Sequence, residues 1–117
     1  MDLRPGIKLL EEHVGDGPLV ERKRTYRVTC RITLNRGDVV RFPGVNTDGE
    51  GFFAYDVCFY RDSMMAGIFQ AFDGMRVGGY RKVVISPHLA FGAAGIPGVI
   101  SPNAKLTVEM HATRPHT

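Results

Sequence analysis

The clearest alternation of hydrophobic and polar residues runs from Tyr26 to Leu34. Tyr26, Val28, Cys30, Ile32 and Leu34 interleave with Arg27, Thr29, Arg31 and Thr33, and a two-residue side-chain period sends the two sets to opposite faces of a strand. The segment 105–113 repeats the pattern, with Leu106, Val108, Met110 and Ala112 inward and Lys105, Thr107, Glu109, His111 and Thr113 outward. A third strand spans Tyr80 to Ile85, with Val83 and Ile85 facing the core, and stops at Ser86-Pro87, where proline has no amide hydrogen for the ladder. A meander of antiparallel strands is the expected arrangement.

Turn chemistry divides the rest. Gly15-Asp16-Gly17-Pro18 and Asn35-Arg36-Gly37-Asp38 are turn clusters, the second closing a hairpin onto Val39 to Phe42. Pro43 to Gly51 has no periodicity and is read as a mobile surface loop, after which Phe52 to Tyr60 returns to the sheet. Ser63 is placed to cap a short helix in which Met64, Met65, Ile68, Ala71 and Phe72 recur at helical spacing, and Gly74 ends it. The expected fold is α+β, a bent antiparallel sheet wrapped around one short α-helix, with residues 1–117 forming a single domain.

Composition agrees with this picture. The 14 glycines and 7 prolines disfavour a helical bundle, and 44% hydrophobic with 23% charged residues is the balance of a globular chain rather than a disordered one. No apolar stretch approaches the ~20 residues of a membrane span, and the first residues lack a secretory core, so a cytoplasmic monomer without a membrane partner is expected. Cys30 and Cys58 are read as free thiols. A net charge of +3 selects no partner.

Conventional catalytic groups are scarce. None of His13, His88, His111 and His116 shares metal-ligand spacing with a cysteine, so neither a metal nor a cofactor is expected. Gly92, Gly95 and Gly98 resemble a phosphate loop, but Pro97 and Pro102 prevent the helix that such a loop must open. The run Glu21-Arg22-Lys23-Arg24, with Arg27 and Arg31 beyond, reads as a solvated basic face rather than a nucleic-acid footprint. Alternation buries Cys30, which makes it an inert thiol rather than a nucleophile.

The segment Gly74 to Met110 carries a more specific signal. Met75-Arg76-Val77-Gly78, the strand end Ile85-Ser86-Pro87, the turn Leu89-Ala90-Phe91-Gly92, a Gly/Pro loop and Asn103-Ala104-Lys105-Leu106 follow in the order found in FKBP-type peptidyl-prolyl isomerases, whose C-terminal half this stretch resembles. The Gly15-Asp16-Gly17 turn and the strand from Tyr26 are similar to the family's first half. The resemblance implies a half-barrel sheet around the helix and a shallow apolar pocket that receives a proline ring of a polypeptide. It carries over Phe91, Met65 and Ile68 as catalytic positions, and Cys30, Val40, Arg41, Tyr55, Met64, Ile96, Val99, Ile100 and Val108 as substrate-binding ones.

Several of these depart from the family. Phe91 stands where a tyrosine hydroxyl is usual, Ile68 where the pocket floor is a tryptophan, Cys30 where a strand tyrosine is usual, and Val40-Arg41 where the family has Phe-Asp. Losing one hydroxyl donor removes roughly 0.5–1.5 kcal/mol, which slows a catalyst without abolishing it. The expected function is therefore isomerisation of X-Pro bonds at reduced rate. The alternative is a non-catalytic module of the same fold that binds a protein through the pocket or the 43–51 loop.

Overall fold

Residues 2–34, 37–42, 44–60 and 66–113 are described by the computed structural model. Six strands and one helix follow in the order β1 (Asp2–Arg4), β2 (Ile7–His13), β3 (Thr25–Leu34), β4 (Phe53–Cys58), α1 (Ala66–Phe72), β5 (Tyr80–Ile85) and β6 (Leu106–Thr113). They form one open sheet in the order β1-β2-β5-β6-β3-β4, with every neighbouring pair antiparallel. The α+β expectation holds.

The connectivity is not a meander. Val108 of β6 is the register partner of both Val83 in β5 and Ile32 in β3, so the last strand lies between two earlier ones. The most regular alternators take the centre, where a strand can satisfy both backbone edges and bury a whole face. Val28, Cys30, Ile32, Val83, Ile85, Leu106, Val108 and Met110 are all essentially inaccessible. β1 and β2, which the pattern did not reveal, form one edge. Ile7 is the only fully buried residue of β2, and an irregularity between Leu9 and Glu11 breaks its alternation.

The turn after β3 returns as expected but pairs only briefly. Leu34 donates its amide hydrogen to the Asp38 carbonyl and Val40 donates to Ile32, both at 2.8 Å, around a single bridge between Thr33 and Val39. The 44–51 loop, expected to be mobile, is instead laced by hydrogen bonds. One Asp48 carboxylate oxygen accepts the amides of Glu50 and Phe52 at 2.9 Å each, while Arg31 donates to the Glu50 carbonyl at 3.2 Å. An aspartate can supply its own turn in this way, which a count of breakers does not register. These bonds to the Asp48 carboxylate, the Phe52 amide foremost, hold its pKa below the usual value.

Helix α1 buries Gly67, Ile68, Ala71 and Phe72 against the sheet. Phe72 meets Tyr26 and Phe59 edge-on at ring separations of 5.7 and 5.1 Å. A Cβ on Gly67 would stand 2.4 Å from Ile85 Cγ2 and 2.9 Å from the Leu89 carbonyl oxygen, so only glycine permits this approach to β5. The helix ends against a buried cation. Arg81 shares the inward face of β5 with Val83 and Ile85; its guanidinium donates to the Ala71 and Asp73 carbonyls at 2.9 Å and to the Glu12 carboxylate at 2.5 Å. It thus serves carbonyls that a helix end leaves unpaired. The predicted Ser63 cap, with Met64 and Met65, lies outside the described residues, as do Asn35, Arg36, Pro43 and His116.

Candidate functional site

The concave side of β3 and β4 meets the hydrophobic face of α1, and aromatic residues gather where that side approaches solvent. Phe53 and Tyr55 alternate onto the same face of β4 as Val57, opposite Cys30, Val28 and Tyr26. Their rings stack at 5.8 Å, and Phe42 meets Phe53 edge-on at 6.0 Å. Phe42, Phe53 and Tyr55 pack on the core yet stay partly accessible. The sequence reading identified Tyr55 and missed Phe42 and Phe53, although Phe53 shares the parity of Tyr55.

The other candidate positions fall into three groups. Cys30 and Val108 are 0% accessible, Val40 2% and Ile100 3%; as the chain stands they are interior wall. Ile68 on α1 is 7% accessible and nearly as enclosed. Phe91, Ile96 and Val99 pack against the same core and keep part of their surface in water. Arg41 is exposed and turned to the adjoining loop, where it donates to the Asp48 carbonyl at 3.3 Å. Met64 and Met65 lie outside the described residues.

Local backbone hydrogen bonds shape the segment that positions Phe91. Pro87–Leu89 forms one turn of 3-10 helix, and the Pro87 carbonyl accepts the amides of Ala90 and Gly92 at 3.0 and 2.8 Å. The Phe91 carbonyl accepts the Gly95 amide at 3.0 Å, and Ile96 and Ile100 then exchange two backbone hydrogen bonds of 2.8 Å around Pro97-Gly98. Gly95 has φ +61°, and a Cβ there would stand 2.3 Å from the Ile100 carbonyl oxygen. Beside this turn lies a groove of about 510 Å³ bounded by Leu34, Ala94 and residues 97–102; Val99 and Ile100 line it, whereas Tyr55, Ile68, Phe91 and Ile96 do not.

Polar groups on the concave side are few. The Tyr26 hydroxyl accepts the Glu21 amide at 2.7 Å. Burial pushes the Cys30 thiol up to about 12, more than the neighbouring Tyr55 hydroxyl lowers it, and burial likewise raises Tyr55. Both groups are therefore protonated at neutral pH, and Cys30 is no nucleophile. An apolar lining with neutral hydroxyl and thiol groups can desolvate an amide; it offers no group for bond cleavage.

The convex side is polar. Arg31 donates to Glu109 at 2.6 Å beneath the Phe52 ring, 4.5 Å from its centroid, and the Tyr80 hydroxyl donates to the same carboxylate at 2.9 Å. Glu109 thus lies on the outward face, as alternation predicts, but its partners bury it. Desolvation alone would raise its pKa; the Arg31 and Tyr80 hydrogen bonds outweigh that and hold it below the usual value. The basic run is similarly occupied: Arg24 pairs with Glu21, Arg27 with Asp56 at 3.0 Å, and Arg22 lies over Phe69. Among the described residues no group of three His, Cys, Asp or Glu is placed to hold a metal, and no helix is long and apolar enough to cross a membrane.

Comparison with known proteins bears on the same residues. The family model described as FKBP-type peptidyl-prolyl cis-trans isomerase matches residues 20–111. The 46 kDa FK506-binding nuclear protein of Spodoptera frugiperda is 54% identical over 105 residues, covering 90% of this chain and 24% of that protein. The peptidyl-prolyl cis-trans isomerase FKBP9 of Mus musculus is 40% identical over 89 residues, covering 66% of this chain and 15% of that protein. Among solved structures, FkpA from Escherichia coli superposes with a TM-score of 0.70 at 26% identity, over 92% of this chain and 46% of that one. The N-terminal domain of FKBP42 from Arabidopsis thaliana gives 0.75 at 18% identity, over 97% and 89%, a likeness of fold.

Proposed function

The chain belongs to the family of FKBP-type peptidyl-prolyl cis-trans isomerases, and from that premise we propose that it binds proline-containing polypeptides and accelerates rotation about their X-Pro bonds. The observation that carries this reading is the partly accessible apolar set Phe53, Tyr55, Phe91, Ile96 and Val99 packed on the core that α1 shares with β3 and β6. The uncatalysed barrier is ~18–20 kcal/mol and arises from amide resonance. Water stabilises the polar planar amide more than the twisted one, so an apolar surface that strips water from the bond favours the twisted state without any nucleophile. Removing ~4 kcal/mol would speed rotation roughly a thousandfold.

Within this proposal Phe91, Ile68 and Met65 surround the rotating bond. Tyr55, Ile96, Val99 and Met64 contact the flanking peptide, and Cys30, Val40, Ile100 and Val108 shape the wall from behind. Arg41, engaged with the Asp48 carbonyl, meets substrate only at the rim. Residues 1–117 act as one domain and a monomer, without a nucleic-acid or membrane partner. Two free thiols, Cys30 and Cys58, suit the reducing cytoplasm.

Refolding of a protein limited by one cis-proline tests the reading. Acceleration in proportion to added chain is the expected result; no acceleration at micromolar concentration, by protein shown to be folded, overturns it. The second reading, a binding module without turnover, is favoured by the departures at Phe91, Ile68, Cys30 and Val40-Arg41. Its signature would be saturable binding of a proline peptide with no change in isomerisation rate.

A further inference from the structure

We propose that the cleft on the outer side of α1, between Arg4 and Arg22, is a second binding site, which takes a carboxylate side chain from an acidic segment of a partner polypeptide. The site stands apart from the isomerase reading, since none of Phe53, Tyr55, Phe91, Ile96 and Val99 lines the cleft.

The cleft measures about 360 Å³ and is lined by Arg4, Pro5, Arg22, Phe69, Gln70 and Asp73. Helix α1 buries Ile68, Ala71 and Phe72 against the sheet and leaves Phe69 and Gln70 half-buried. Each arginine is held by its own contact. The Phe69 ring is braced by Phe59, 5.0 Å away between centroids, and the Arg22 guanidinium lies over it at 5.5 Å. Arg4 donates to the Asp73 carboxylate at 2.5 Å, while the Asp73 carbonyl accepts from buried Arg81 at 2.9 Å. Both walls of the cleft are thus tied to the core.

The donors in this cleft are not spent. Arg24, Arg27, Arg31 and Arg81 are each paired with a carboxylate. Arg22 is not: among the described residues its contact is with the ring, and a stacked guanidinium keeps its N–H edge for an acceptor. The Gln70 side-chain amide has no hydrogen-bond partner among the described residues, and no buried side-chain nitrogen or oxygen is left unsatisfied, so this amide faces water.

The charge balance selects the ligand. Two cations and one anion line the cleft, which leaves one positive charge uncompensated. A carboxylate supplies one negative charge, and its two oxygens match the guanidinium fork with two parallel hydrogen bonds. The methylenes of a glutamate can lie on Pro5 and on the part of Phe69 left in water. A phosphate dianion would exceed the available positive charge and be repelled by Asp73.

The test uses the 15N-labelled 117-residue chain and two probes, acetyl-Leu-Glu-Leu-Glu-amide and the same peptide with glutamine in place of glutamate. The expected results are saturable shifts of the Arg22, Phe69 and Gln70 amides with the acidic peptide alone, and binding about tenfold weaker in Arg22→Gln, the loss of a charge-assisted hydrogen bond. Arg27→Gln, which removes the same charge from β3, should bind as wild type does. Equal binding of the glutamine peptide, shifts confined to other residues, unchanged affinity in Arg22→Gln, or stronger displacement by inorganic phosphate than by acetate would each overturn the assignment. The shift map is read on the wild-type chain, so the site is tested even where a variant fails to fold. Neither probe contains proline: a chain that ignores both peptides while still accelerating proline-limited refolding overturns this site and leaves the isomerase reading intact.

Discussion

Replacing Arg81 with methionine tests how α1 is held over the sheet. Arg81 is 6% accessible, and its guanidinium makes three hydrogen bonds: two to the carbonyls of Ala71 and Asp73 at the helix end, and one to Glu12 on β2. Methionine retains most of the aliphatic stem, so the cavity term is small. The loss is electrostatic: two carbonyls at the end of α1 lose their donor, and Glu12 keeps a charge without its partner. Breaking one side of a buried pair costs about 3–5 kcal/mol. With a urea slope of about 2 kcal/mol per molar, the unfolding midpoint should fall by about 2 M. Glu12→Gln alone should cost less, since its carboxylate is 30% accessible and water can replace part of the interaction. The double variant should cost less than the sum, because the second change removes the charge that the first left unpaired. A midpoint lowered by under about 0.5 M in Arg81→Met would refute the reasoning. It would mean that packing around the stem, not the guanidinium, docks the helix.

Two further outcomes follow from the titrating groups. The depressed Glu109 carboxyl contributes stability that is fully present above its unfolded value near 4.5 and is lost as pH falls through the lower folded value; Glu109→Gln should therefore be less stable than wild type by about 1–3 kcal/mol at pH 7, and urea midpoints measured from pH 7 to 2 should show the gap closing below pH 4.5. A constant gap would show that the Arg31 and Tyr80 contacts do not depend on charge. For the cysteines, a thiol reagent at pH 8 should modify only half-buried Cys58 in the folded chain and both thiols in denaturant, because burial raises the Cys30 thiol to about 12. Rapid native modification of Cys30 would mean that the wall it occupies opens.

The central strands were legible because each buries one whole face, which writes a two-residue period into the sequence; Tyr26 to Leu34 and Leu106 to Thr113 are the clear instances. The N-terminal strands were not, because β2 buries a single residue completely and its irregularity at Leu9 breaks the period. Strand order was also out of reach: backbone pairing between β6 and its two neighbours depends on chain crossings that local pattern does not encode. In the candidate site, the Phe91 turn was readable from its glycines and prolines. Phe53 and Phe42 went unnoticed because an aromatic residue at a sheet edge looks the same in sequence whether it fills a core or borders a cleft. Arg81 carried a signal that was passed over, since the parity that turns Val83 and Ile85 inward turns Arg81 inward too.

The place of β6 constrains how the protein can be made. It is the last of the six strands in chain order, yet it pairs with both β5 and β3 and so lies between the β1-β2-β5 half of the sheet and the β3-β4 half. Until it arrives, β5 and β3 each expose an unpaired edge beside apolar side chains, and such edges recruit other chains. A chain ending before Leu106 keeps its two sheet halves in contact only through α1, which packs on Ile85 of β5 and Tyr26 of β3, and lacks the strand that joins their backbones. Truncations within β6 should consequently aggregate rather than populate a partly folded monomer, because they leave the facing edges of β5 and β3 unpaired.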